Sequence, residues 1–217
     1  MAQGLNQTIY LKDYTPPAFL IDTTELTFHL DPSKTRVISR IAFRPNPDAK
    51  TNQFTLNGSD MKLVWARVNG ASVSPKISET YLECVVPNAP FIWEAEVEIN
   101  PSANTALEGL YMSNGMYCTQ CEAEGFRRIT YFYDRPDCMS AFTCRVERDK
   151  KKVPLLLSNG NEVGRGENGD RHWASFEDPF KKPSYLFALV AGDLGGIQGK
   201  FTTKSGRDVD LRIWSEH

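Results

Sequence analysis

Gln120, Glu122 and Glu124 are the polar side chains most suited to chemistry, set in Cys118-Thr119-Gln120-Cys121-Glu122-Ala123-Glu124-Gly125. A carboxylate aimed into a shared cavity can hold a cation. Toward an ammonium group, such a charge-assisted hydrogen bond is roughly twice as strong as a neutral one. Small Ala123, then Gly125, then immediate passage into a buried strand would pin the Glu122 backbone. The same residues also fit a solvated loop of carboxylates, and their types alone leave both readings open.

Other reactive residues point less far. Cys118-x-x-Cys121 with Cys138 and Cys144 could suggest a four-cysteine zinc site, as in a small zinc ribbon, but the second pair has five intervening residues. Structural zinc sites usually take a tight knuckle from each pair, so these read as ordinary buried or half-buried thiols. A thioredoxin-like use would need a helix opening at the first cysteine. His29, His172 and His217 are far apart, and no HExxH motif exists to build a zincin site. No G-x-S-x-G elbow and no phosphate-cradling glycine pattern is present.

The elements that must carry these residues follow from patterning. The 217 residues suit one large β domain, or one domain plus a piece of a second. At 41% hydrophobic, 24% charged and net charge −2 the composition is that of a globular protein, and it argues against nucleic acid as main partner. Arg148-Asp149-Lys150-Lys151-Lys152 reads as a solvated turn. No apolar run approaches the roughly 18–20 residues of a membrane helix. Met1 through Gln7 lacks the basic start and apolar core of a signal peptide. Five cysteines, an odd count, fit free thiols in a reducing, cytoplasmic setting.

Residues 8–22 read as an extended lead-in. Leu26, Phe28 and Leu30 alternate with polar neighbours; Val37, Ile41 and Phe43 share a face with Ser39. Phe91, Trp93, Ala95, Val97 and Ile99 form the inner face of a half-buried antiparallel strand. Asn57-Gly58 and Asn69-Gly70 are turn signals around 61–68. Strands are expected over 126–133, 142–148, 153–157 and 172–177. Tyr185 through Val190 reads as a strand buried on both faces. A helical turn is expected at Pro136, capped by Asp134. After Gly192-Asp193-Leu194-Gly195-Gly196, residues 200–203 and 208–214 form one last hairpin. The fold class is all-β.

Leu107-Glu108-Gly109-Leu110-Tyr111, Cys118 through Arg127, Asp134-Arg135-Pro136-Asp137, and Leu156 through Asn161 resemble the N-terminal domain of the aminopeptidase N family. So do Trp173 through Phe180, Tyr185 through Asp193, and Phe201 through Arg207. The resemblance runs from about Tyr10 to the end. It implies a saddle-shaped β-sandwich-like cap, residues 1–193, on a thermolysin-like catalytic domain whose first strands would be 194–217. Family members are zinc metallopeptidases that remove N-terminal residues, often alanine, from peptides.

Their zinc ligands and their GAMEN motif have no counterpart in this chain. By the resemblance the zinc belongs to the parent enzyme, none is bound here, no catalytic residue lies here, and the chain alone is inactive. Glu122 matches the glutamate that binds the substrate's free α-amino group, and Gln120 the glutamine lining the pocket for the first side chain. A non-proline cis peptide at Glu122–Ala123 is implied as well. The expected partners are peptides, through their free N-terminus, and the catalytic domain of the same polypeptide. A stand-alone β-sandwich interaction module is the alternative, and exposed apolar surface discriminates the two.

Overall fold

The computed structural model describes residues 10–217; the signal-peptide reading of residues 1–7 lies outside them. Seventeen strands occur among the described residues: β1 (Phe19–His29), β2 (Thr35–Pro45), β3 (Phe54–Asn57), β4 (Lys62–Val68), β5 (Ala71–Ser72), β6 (Lys76–Ile77), β7 (Tyr81–Cys84) and β8 (Phe91–Ile99). They continue with β9 (Gly109–Ser113), β10 (Met116–Gln120), β11 (Met139–Asp149), β12 (Leu155–Ser158), β13 (Asn161–Asn168), β14 (Arg171–Pro183), β15 (Leu189–Gly192), β16 (Gly195–Thr202) and β17 (Asp208–Ser215). Only short 3₁₀ turns interrupt them, so the all-β expectation holds.

An eight-stranded sheet runs β13-β14-β11-β1-β2-β8-β4-β5, with β1 and β11 parallel and the other neighbours antiparallel. Its inner face is written in the alternation: Phe28, Val37, Ile41, Phe43, Trp93 and Val97 are all buried. Ser39 on that face donates to the Ala95 carbonyl at 3.4 Å and accepts from Thr130 Oγ1 at 3.1 Å. A four-stranded sheet, β12-β15-β10-β9, leads into the 118–125 stretch through β10, and a three-stranded sheet, β3-β7-β6, packs Phe54 on Phe19, Phe43 and Phe91 of the eight-stranded sheet.

Two aromatic clusters fill the core. Phe43 and Phe54 meet edge to face at 5.0 Å, joined by Phe19, Phe91 and Trp93. The second gathers Phe126, Phe132, Phe142 and Phe187, with Phe126 4.9 Å from Phe132 and 5.4 Å from Phe187. Such pairs add about 0.5–1.5 kcal/mol each beyond area burial.

Several expectations are corrected. Residues 126–133 are not a strand: Gly125–Arg128 is a 3₁₀ turn, and only an isolated bridge joins Phe132 to Asn57. Burial does not alternate here: Phe126 is buried, and then Ile129 through Tyr133 are buried without a break, which is not the two-residue period of a half-buried strand. Tyr185 through Val190 is not one doubly buried strand. Ser184–Leu186 is a 3₁₀ turn, β15 starts at Leu189, and Leu186 is exposed. Phe187, Leu189 and Ala191 alternate into the core instead.

Pro136 opens no helix, and Asp134 is a buried acceptor rather than a cap. The lead-in is broken by a 3₁₀ turn at Leu11–Asp13. Asn69-Gly70 makes its hairpin, with φ of 50° and 78°, between β4 and β5. Asn57-Gly58 does not, because β3 pairs with β7.

The closing hairpin forms as expected, pairing Gly195 with Ser215 through Thr202 with Asp208. Ile197, Phe201, Leu211 and Ile213 stand exposed on one of its faces. The opposite face places Gln198, Arg212 and Trp214 along a groove shared with Leu155, Trp173 and Phe176.

Candidate functional site

Strand β10 presents the site. It pairs with β9 so that Gln120 lies opposite Gly109, and with β15 at Tyr117 and Cys118. Thr119 Oγ1 accepts from Leu189 N at 2.8 Å and donates to its carbonyl at 3.2 Å, stitching β10 to β15. Beyond Gln120 the chain turns. Gly125 N donates to the Cys121 carbonyl at 2.9 Å, and the Glu122–Ala123 peptide is cis, as the resemblance implied.

Two glycines allow this turn to press on the sheet. A Cβ on Gly125 would lie 2.4 Å from the Gln120 carbonyl oxygen and 2.9 Å from Gly109 N. Gly109 has φ +72°, and its Cβ would meet Arg128 Cβ at 2.7 Å. Both positions need glycine, one for close approach and one for conformation as well.

Gln120 and Glu122 are exposed together at this rim. Gln120 Nε2 donates to the Glu122 carbonyl at 3.2 Å, which fixes the amide against the turn. The 107–137 stretch holds five carboxylates, and three arginines engage four of them. Arg128 pairs with Glu108 at 3.1 Å and also with Asp60. Arg127 pairs with Glu124 at 3.2 Å and Asp134 at 3.0 Å. Arg135 grips Asp137 through two bonds of 2.9 and 2.6 Å. Among the described residues Glu122 alone of the five has no cationic partner.

The sequence reading named Glu122 but missed Arg127 and Arg128, because a strand over 126–133 would have turned them to opposite faces. Their signal was the Arg-Arg pair set between acidic residues on either side.

The buried cysteines lack the character of nucleophiles. Burial pushes the thiols of Cys121, Cys138 and Cys144 up to about 12. The thiol form is thereby favoured at neutral pH, and attack on an electrophile needs the thiolate. All five are free. His172 Nε2 is bound to the Val153 carbonyl at 2.6 Å, and His29 faces Glu147 at 3.7 Å. No group of three or more His, Cys, Asp or Glu among the described residues could hold a metal ion. These residues do not fit a zinc centre.

Residues 20–186 match the family described as the Peptidase M1 N-terminal domain. The chain belongs to that family. The M1 domain is 50% identical over 212 residues to aminopeptidase N of Caulobacter vibrioides, covering 96% of this chain and 24% of that protein. Against aminopeptidase N of Escherichia coli the identity is 47%, with 96% and 24% covered. It thus spans about a quarter of the length of the curated relatives it matches.

Among solved structures, Legionella pneumophila aminopeptidase A in complex with aspartic acid superposes with a TM-score of 0.87 at 31% identity, covering 94% of this chain and 25% of that one. An M1 zinc metallopeptidase from Deinococcus radiodurans gives 0.76 at 15% identity, covering 91% and 48%, a likeness of fold alone.

Proposed function

We propose that this M1 domain is the substrate-recognition and capping domain of a zinc-dependent aminopeptidase that removes N-terminal residues from peptides. The observation that carries the reading is the isolation of Glu122. A carboxylate with no cationic partner among the described residues, exposed on a turn that two glycines press onto a sheet, is a ready partner for an external ammonium group. Because the turn is already ordered, little entropy is lost when it binds. Gln120, beside it, would line the pocket for the first side chain.

Zinc and its ligands belong in this reading to the remainder of the polypeptide, the domain's chief partner, and residues 194–217 would be the first strands of that part. The hairpin supports the boundary, since β16 and β17 pair with each other alone. Its bare face of Ile197, Phe201, Leu211 and Ile213 fits a surface that another part of the chain covers, and this favours a cap over a stand-alone module. Five free thiols fit a cytoplasmic setting.

In the full-length polypeptide, Glu122→Gln should raise KM for alanyl substrates about tenfold or more, the scale of a lost charged hydrogen bond. Zinc content should not change. An unaltered KM would overturn the reading. The isolated chain should cleave no alanyl chromogenic substrate, and chelator-sensitive cleavage by it would contradict the assignment of chemistry to the missing part.

A further inference from the structure

Two glutamates, Glu122 and Glu124, sit two residues apart on one exposed turn, yet they are not equivalent. Arg127 Nη2 reaches Glu124 at 3.2 Å, and the same guanidinium is tied down from below. Its Nε donates to Asp134 Oδ2 at 3.0 Å, and its Nη2 donates to the Asp134 carbonyl at 3.1 Å. The Arg127 backbone N–H also donates to that Oδ2 at 3.0 Å. Asp134 is itself 2% exposed and held by Ser184 Oγ at 2.6 Å and, through its backbone N–H, by Asn57 Oδ1 at 3.3 Å. The network thus runs from the turn through the core to two other segments of the chain.

From this geometry we infer that Arg127, anchored by Asp134, is a positioning residue for the amine subsite. It draws Glu124 aside and locks the turn, so that Glu122 is the single charge offered to substrate. The inference rests on the amine-recognition reading given above. Three bonds from one planar guanidinium fix its orientation in a way a lysine ammonium cannot reproduce. Fixing the turn matters because a small displacement of a binding group costs affinity steeply.

The test is steady-state kinetics of the full-length polypeptide with an alanyl substrate. Arg127→Met combined with Glu124→Gln removes the pair without changing net charge, so a gain or loss of attraction at long range does not confuse the result. The expected outcome is a KM raised about fivefold or more with kcat within about twofold. Glu124→Gln alone should stay within about twofold, because Asp134 still holds Arg127.

Should the paired variant fail to fold, Arg127→Lys decides, keeping the charge but not the fork; its KM should rise about two- to fivefold. A purely structural role would lower the active fraction, hence kcat, at constant KM, and would overturn the inference. So would an equal KM rise in a Glu122→Gln background, since positioning requires the two effects to be non-additive. If Glu122→Gln by itself leaves KM unchanged, it is the amine-recognition reading that falls.

Discussion

Glu96 shows how strongly a single side chain can be held here. It lies on the polar side of β8 yet is buried, with its carboxylate accepting from Arg36 and, at 2.7 Å, from Trp65 Nε1. The hydrogen bond from Arg36, above all, holds its carboxyl below the ordinary glutamate value of 4.5. A lowered native value means the ionised form stabilises the fold above that ordinary value, and the contribution fades as pH falls through the native one. Glu96→Ala should therefore destabilise the domain by about 1–2 kcal/mol at neutral pH, by removing the hydrogen bonds its carboxylate accepts from Arg36 and Trp65. The difference from wild type should shrink in denaturant melts at acid pH; a constant difference would contradict this.

The thiols give a second residue-scale test. Cys84 and Cys118 are half-buried and the other three buried, so a maleimide at pH 8 should label at most those two in the native chain and all five after unfolding. Rapid native labelling of Cys121, Cys138 or Cys144 would refute the burial described.

Among the elements, the turn carrying Glu122 depends on buried Phe126 and on Gly125 against the sheet. Phe126→Ala should cost about 3–5 kcal/mol through cavity formation among Phe132, Phe142 and Phe187. Gly125→Ala forces a Cβ onto the Gln120 carbonyl and should cost about 1–3 kcal/mol while displacing Glu122. Calorimetry checks both, and a Gly125→Ala chain as stable as wild type would show that the close approach is not required.

Strands β1, β2 and β8 were legible because one face is core and the other wet, which the sequence records as a two-residue period. The segments 126–133 and 185–190 were not. Their residues are strong β-formers, and tertiary burial of Phe126 and Phe187, rather than propensity, decides their path. Glu122 was legible as a candidate through resemblance. Its isolation was hidden, because it depends on arginines whose direction only the 3₁₀ turn sets.

Across the whole molecule, the candidate site sits on the four-stranded sheet, while β16–β17 pair only with each other and leave one apolar face bare among the described residues. Ile213→Lys combined with Ile197→Asp should leave the unfolding free energy of the isolated chain within about 0.5 kcal/mol of wild type, since both side chains are more than 60% exposed. In the full-length polypeptide the same pair should lower the melting temperature measurably. An equal effect in both would mean the face is not covered.

Competitive inhibition of the full-length polypeptide probes whether Glu122 selects for a positive terminus. Two ligands would be compared, a short peptide with a free α-amine and its analogue lacking that amine, against wild type and Glu122→Gln. Wild type should prefer the amine by at least about tenfold, and the variant should lose most of that preference. The same ratio in both proteins would contradict it.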